Sequence, residues 1–438
     1  MDDAHQEALC ALLLAELVPA LGCTEPIAIA LACAKAREVL ALQPRSLTLT
    51  LSANVYKNAR SVIIPGTHGR HGVDLAAALG MLAGDAQRGL ECLGEVDDDD
   101  IEAAMQFVAR GNVSVELNSE FTGLYVRAEV RTEASSASVE LIDEHTRFAS
   151  LYRDGVQLGP AEDSPAAGPQ SEPAAQPSPR LQPQQVLDFA RSIDLAAQPA
   201  LVAALQRQID LNSRIADAGV ETEYAAGIGR SLAANGGSGP RHDARVRAAA
   251  ASDARMGGCS LPVVINSGSG NQGITASLPV ITYAKALHSS QQQLYRALLV
   301  SNLLAILQKQ RIGKLSAFCG AASAASAAGA GIAWLQGLPD EQVLQTLETS
   351  LATTGGMVCD GAKPSCAAKV SISVEAALSS LDLVAAGRHF EAGVGVLGPD
   401  PQQTIENVGR IAHDGMQQTD VVILDVMHRA DTAGATGR

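Results

Sequence analysis

The sequence predicts an α+β N-terminal domain followed by a mostly α-helical C-terminal domain. Three observations carry this prediction. Before residue 150, apolar residues alternate with polar ones in several short runs, the period-two pattern of half-buried strands. Beyond residue 185, apolar residues recur at helical spacing almost without a break. Between the two, residues 160–183 hold seven prolines among Ala, Gln, Ser and Glu, a composition that buries too little surface to order itself. The expected divisions are an α/β domain over 1–155, a Pro-rich linker or insertion over 156–184 and a helical domain over 185–438.

The elements follow in order. Residues 3–18 form an amphipathic pattern through Leu9, Leu12, Leu13 and Val18. A second helix is expected over 25–40, behind Gly22-Cys23-Thr24. Leu47, Leu49 and Leu51 alternate with polar residues and predict a strand. A short helix follows over 71–83. Asp97–Asp100 precede a helix over 101–110, where negative charge favours the N-terminus. Strands are expected over 112–118, 123–132 and 137–143. The C-terminal part predicts helices over 185–193, 197–217, 222–234, 241–254, 272–286, 290–309, 316–336, 340–353, 364–379 and 404–416. Asn235–Gly239 and Asn266–Asn271 are expected to be turns with exposed backbone. No internal repeat of solenoid length is visible.

Composition narrows the function classes. Hydrophobic residues are 47% and charged residues 18% of the chain, enough apolar matter for a sizeable core. Aromatics are only 3%, so that core must be built by close approach of small residues. A net charge of −15 argues against a nucleic-acid binder, which needs a basic face. The first residues, Met1-Asp2-Asp3-Ala4-His5, carry no basic region, so a cytoplasmic location is expected. The most apolar window, 316–337, is rich in Ala, Gly and Ser and predicts a buried helix rather than a membrane span. In a reducing compartment the eight cysteines stay thiols, available for packing, metal binding or catalysis.

Cys319 lies in Ser316-Ala317-Phe318-Cys319-Gly320-Ala321, and Cys359 and Cys366 flank a turn before a helix start at Pro364. Thiolates on loops can converge on an iron–sulfur cluster, and three rather than four would leave one iron open. Three unrelated buried thiols are the competing reading, because no CxxC signature is present. Cys23 precedes a helix, where a thiol ionises more easily, so it could be a base, a nucleophile, a ligand or a buried cap. Asn54, Lys57 and Asn58 follow the strand at 47–51, with Thr67 soon after. Such groups suit an amino-acid carboxylate, or are turn-formers on a solvated loop. Gly268-Ser269-Gly270-Asn271-Gln272-Gly273 opens a helix and could cradle an anion, although it is not a phosphate loop. His68 and His71 are more simply surface or cap residues, and Cys10, Cys33, Cys92 and Cys259 packing residues.

Taken together, GCTEP at 22–26, NVYKNA at 54–59, IPGT at 64–67, GSGNQG at 268–273, SAFCGA at 316–321 and GGMVCDGAKPSC at 355–366 resemble the L-cysteine desulfidase family, which is related to the L-serine dehydratase alpha chain. The motifs run through most of the chain, and the Pro-rich stretch departs from the pattern as an insertion. The resemblance implies a [4Fe–4S] cluster without pyridoxal phosphate, held by Cys319, Cys359 and Cys366. It implies β-elimination of L-cysteine to sulfide, pyruvate and ammonia. Cys23 is then the candidate base or proton relay and Lys57 a second candidate catalytic group. Asn54, Asn58, Thr67 and Asn271 are candidates for holding the amino-acid substrate. The alternatives are an L-serine (hydroxy-amino-acid) dehydratase with the same cluster and a non-catalytic iron–sulfur redox sensor. No nucleic-acid or membrane partner is expected, and a homodimer is the expected assembly.

Overall fold

A computed structural model describes residues 3–118, 121, 123–158 and 181–435. Helix α1 (Asp3–Glu16) leads into a three-residue strand β1 (Pro19–Leu21) and the long helix α2 (Thr24–Leu40). Strand β2 (Ser46–Ser52) runs without a loop into α3 (Ala53–Ala59), followed by α4 (Val73–Ala83) and α5 (Asp98–Ala109). Four acidic residues, Asp97–Asp100, open α5, and Asp97 and Asp100 close a reciprocal capping box. Strands β3 (Val113–Asn118), β4 (Tyr125–Arg131), β5 (Ser136–Ile142), β6 (Phe148–Arg153) and β7 (Val156–Leu158) complete the N-terminal half.

These strands form one sheet in the order β3-β2-β4-β5-β6-β7, with β2 parallel to β3 and every other pair antiparallel. The alternation of β2 explains its register. Leu49 faces Ala128, which faces Val139, which faces Leu151, so one apolar row crosses four strands. That row and its neighbours are buried against Ile29, Ala32 and Ala36 of α2 and Ala77 and Met81 of α4. A one-residue slip would turn every one of these side chains to the opposite face.

The rest is helical: α6 (Pro183–Ser192), α7 (Pro199–Glu221), α8 (Ile228–Ala234), α9 (Pro240–Met256), then a short strand β8 (Pro262–Val264). Then come α10 (Gly270–Ala286), α11 (Gln291–Ile312), α12 (Gly320–Leu335), α13 (Asp340–Thr354), α14 (Cys366–Ala385), α15 (Pro401–Arg410) and α16 (Gln417–Ala435). The Ala-Gly-Ser helix α12 is the centre, buried on all sides by α10, α11, α13 and α14. Small side chains let five helices approach where aromatics would hold them apart. Strand β1 pairs antiparallel with β8, Pro19 opposite Val264, so residues 19–21 are stitched to the helical part.

Several expectations shift. The motif Asn54–Ala59 lies on a buried helix, not on a strand-end loop, because Ser52 Oγ caps α3 by accepting from Val55 N. The helix expected over 222–234 shrinks to α8, since Ala225 and Gly227 take left-handed backbone and break it. The helix expected from 316 begins at Gly320, because Phe318 bridges to Val358 instead. The last expected helix, 404–416, is α15 plus a π-turn over Ile411–Gly415, and α16 follows it unanticipated. Strands β1, β6, β7 and β8 were also unanticipated: β1, β7 and β8 have three residues each, too few to show a period. Of the expected linker, 156–158 form β7 and Pro183 opens α6, while 159–180 lie outside the described residues. Among the described residues no helix is long and apolar enough to cross a membrane.

Candidate active site

Four helices begin at one cavity. Cys23 is the residue preceding α2, Cys319 precedes α12, Cys366 is the first residue of α14, and α10 starts at Gly270 within the glycine-rich motif. Each of these starts lacks a side-chain cap. Helix N-termini carry uncapped N–H groups and a positive potential, so their convergence favours bound negative charge. The cavity holds about 90 Å³ and is lined by Cys23, Glu25, Asn58, Arg255, Asn271 and Gln272. Lys309, Cys319, Cys359, Cys366 and Lys369 line it as well.

Sequence pattern explains how distant segments meet here. The segments around Cys319 and Cys359 are laced as a two-stranded bridge: Cys319 N donates to Met357 O at 3.0 Å and Cys359 N to Ala317 O at 2.6 Å. Lys369 Nζ, from the second turn of α14, donates to Val358 O at 2.7 Å and pairs with Asp360 at 2.5 Å. Burial opposes ionisation of Asp360, but Lys363 and Lys369 outweigh it and pull its pKa down to about 2. Gly361 has positive φ and lies against the carbonyl of Lys57, where a Cβ would clash. Cys23 packs with Val62 and Met256, and Cys366 lies against that small cluster.

Burial disfavours the thiolates of Cys319 and Cys366 in the absence of a metal. Burial pushes Cys319 up to about 12, reinforced by Cys359 and Cys366, and burial likewise raises Cys366. Thiols of this kind lose their protons to a metal rather than to water. Among the described residues no three His, Cys, Asp or Glu side chains are grouped as chelators of a single ion. A cubane cluster makes a different demand, since each thiolate takes its own iron. Three cysteines lining one cavity, with Lys309 and Lys369 on the same lining to offset thiolate charge, fit that donor set.

Cys23 departs from the expectation of a thiolate. Its Sγ donates to Glu25 Oε2 at 3.0 Å, and burial followed by the Glu25 charge pushes its pKa well above the ordinary thiol value. These two effects outweigh the helix end. Glu25 is the centre of the local network. Its Oε2 also accepts from Thr24 Oγ1 at 3.1 Å, and its Oε1 accepts from Asn58 Nδ2 at 3.0 Å. Burial alone would raise its pKa, but His145, the Cys23 thiol and Arg255 outweigh burial and lower it. His145, 4.0 Å from Glu25 and buried, is itself lowered, burial outweighing the pull of the Glu25 charge.

The other expected residues divide. Asn58 and Asn271 line the cavity, and Asn271 Oδ1 accepts from Ser252 Oγ at 3.1 Å. Lys57 stands behind it: its buried ammonium pairs with Asp420 of α16 and donates to Cys359 O at 3.4 Å, so it positions the cysteine loop. Asn54 opens instead on an adjoining, larger cavity that shares Lys309, Lys314, Leu315 and Ser316 with the first. Thr67 is off the cavity, its hydroxyl donating to Ile64 O at 2.7 Å to lock the turn that carries Pro65 under Gly22. Glu25, Arg255, Gln272, Lys309 and Lys369 were missed. Glu25 sat inside the GCTEP motif, where an acid in a first helical turn looks like ordinary capping. Lys309, in Gln308-Lys309-Gln310-Arg311, looks like a solvated charge run, yet it is buried and its pKa is lowered by that burial to about 8.

A family model described as serine dehydratase alpha chain matches residues 88–425. The chain belongs to the serine dehydratase alpha chain family. Proteins similar to it carry the name UPF0597 protein. One from Lachnoclostridium phytofermentans is 43% identical over 416 residues, 95% of this chain and 98% of its own. One from Finegoldia magna is 40% identical, covering 95% and 98%, and one from Treponema denticola 38% identical, covering 98% and 99%. The family match includes Cys319, Cys359, Cys366, Arg255 and Lys309, whereas Cys23, Glu25 and Asn58 precede it in the chain.

Proposed function

We propose that this protein is an iron–sulfur-dependent lyase that β-eliminates L-cysteine to sulfide, pyruvate and ammonia without pyridoxal phosphate. One observation carries the reading: Cys319, Cys359 and Cys366 face a single cavity on which four helix N-termini converge. The family relation to a dehydratase supports elimination as the reaction class. Cys319, Cys359 and Cys366 would hold a [4Fe–4S] cluster, which when bound supplies a Lewis-acidic iron for the leaving group.

The chain's own residues handle the proton and the orientation. Cys23 Sγ–H already donates to Glu25 Oε2, so the pair forms a relay. As sulfur takes the Cα proton, its own proton passes to the carboxylate, and no free thiolate is needed. Asn58 holds Glu25 from the other oxygen, which keeps the accepting lone pair aimed at Cys23. Burial of Cys23, Glu25 and Lys309 keeps water from the reacting groups. Lys57, through Cys359 O, keeps the cysteine loop in place from behind. A cytoplasmic location accords with free thiols throughout.

A second reading, an L-serine dehydratase using the same residues, is favoured by the description of the matching family. The two differ only in the leaving atom. The test is anaerobic purification with iron and sulfide analysis, then sulfide release from L-cysteine and keto-acid formation from Cys, Ser and Thr. Sulfide release with iron bound supports the first reading. Keto acid from Ser alone moves the assignment to the second, and a cluster-free protein inactive on all three substrates removes both.

A further inference from the structure

Arg255 stands on the last turn of α9, 2% exposed, and lines the same cavity as the thiols. Among the described residues its side chain has no hydrogen bond or ion pair, and its Nε is a buried donor without a partner. A guanidinium cannot shed its charge, so an isolated one in the interior costs several kcal/mol unless an anion meets it. Glu25 lies within its field but makes no bond to it, because its oxygens accept from Cys23, Thr24 and Asn58. The structure makes room for the guanidinium at the start of α10. A Cβ at Gly270 would fall on Arg255, so only glycine lets the side chain lie against the helix end. That end offers backbone N–H groups with no side-chain cap from Ser269.

We infer that Arg255 and the first turn of α10 form the anchor for the α-carboxylate of the substrate, and so restrict the cavity to molecules bearing a free carboxylate. This rests on the amino-acid reading above. A planar guanidinium matches the two oxygens of a carboxylate, and helix N–H groups add donors from a second direction. The position separates this role from service to a cluster. The guanidinium lies against the start of α10, whereas Lys369 is tied into the Cys359 loop through Val358 O and Asp360. The carboxylate is thus held at the start of α10, with the β-substituent free to point toward Cys319 and Cys359.

The test uses the full chain, anaerobically reconstituted, titrated calorimetrically with L-alanine and with L-alaninamide. Alanine has the carboxylate and amine but no leaving group, so binding is read without turnover. The wild type is expected to prefer alanine over the amide by roughly tenfold or more, as charge-assisted pairing requires. Arg255→Met should abolish the preference while iron content stays at the wild-type level, and Arg255→Lys should restore only part of it. Gly270→Ala, which displaces the guanidinium without removing it, should weaken alanine binding in the same sense. Wild-type preference in a folded Arg255→Met protein overturns the assignment, as does failure of the wild type to bind alanine at millimolar concentration. Loss of iron from Arg255→Met overturns it in favour of a cluster-balancing charge. An Arg255-dependent preference in a protein that eliminates neither Cys nor Ser would sink the lyase reading and leave the anchor standing.

Discussion

Replacing Glu25 by Gln tests the proton relay and the stability of the site at once. The carboxylate is 7% exposed and accepts three hydrogen bonds, at 3.0, 3.1 and 3.0 Å from Cys23, Thr24 and Asn58. Gln can keep its oxygen toward Cys23 and Thr24. Its amide then faces Asn58, whose own buried Oδ1 lacks a partner and can accept after a flip. The contacts therefore survive as neutral bonds. Hydrogen bonds to a charged group contribute about 1.5–3 kcal/mol and neutral ones about 1, so three conversions cost about 3 kcal/mol. Relief of the buried charge offsets part of this, leaving a net loss of about 1–3 kcal/mol near neutral pH. The sign follows from the lowered pKa. A carboxyl whose folded pKa lies below its unfolded value stabilises above the unfolded value and loses that contribution as pH falls through the folded one. The gap between wild type and variant should thus close below pH 4.5, the ordinary value of this group. Turnover should fall by about 10²–10⁴, the usual contribution of a general base. Urea unfolding across pH and anaerobic product assays on the same iron-loaded samples give both numbers. A variant that keeps its iron and turns over within a few-fold of wild type would refute the relay.

Three further outcomes are expected. Single Cys→Ala changes at Cys319, Cys359 and Cys366 should each remove the visible absorption of the anaerobic protein, and three variants with full spectra would show that the ligands lie elsewhere. Lys57→Met leaves Asp420 without its buried partner and frees the carbonyl of Cys359. A loss of about 1–3 kcal/mol and faster cleavage within α16 under limited proteolysis are expected, since removing one partner strands the other. Asp253 is 1% exposed, and burial raises its pKa from 3.8 to about 6 against the N–H donors of Gly229, Ile228 and Ala226. Its folded state binds the proton more tightly, so protein stability should rise by up to about 3 kcal/mol as pH falls from 6 toward 4, and Asp253→Asn should lack this increment in pH-dependent unfolding.

Much of this molecule was determined locally. The alternation through Leu47, Leu49 and Leu51 dictates which face of β2 is buried, because side chains on a strand alternate whatever the neighbours are. The acidic run at 97–100 starts α5, and the paucity of aromatics requires a core of small residues such as α12. The three cysteines stand out along the chain because Cys319 and Cys366 sit at helix starts and Cys359 lies in the turn-rich motif that leads into α14. What the sequence could not determine is which charges are buried and what they meet. Lys309 looks like a solvated residue in a polar run and Arg255 like an ordinary basic residue at a helix C-terminus, and only packing of α9 and α11 turns them into the cavity. Cys23 reverses for the same reason: its helix end favours a thiolate, but burial beside Glu25 keeps it protonated. Helix-end potentials arise from consecutive residues and can be read along the chain. Desolvation and long-range charge pairing depend on residues hundreds of positions apart, such as Lys57 and Asp420, and exist only once the chain has folded.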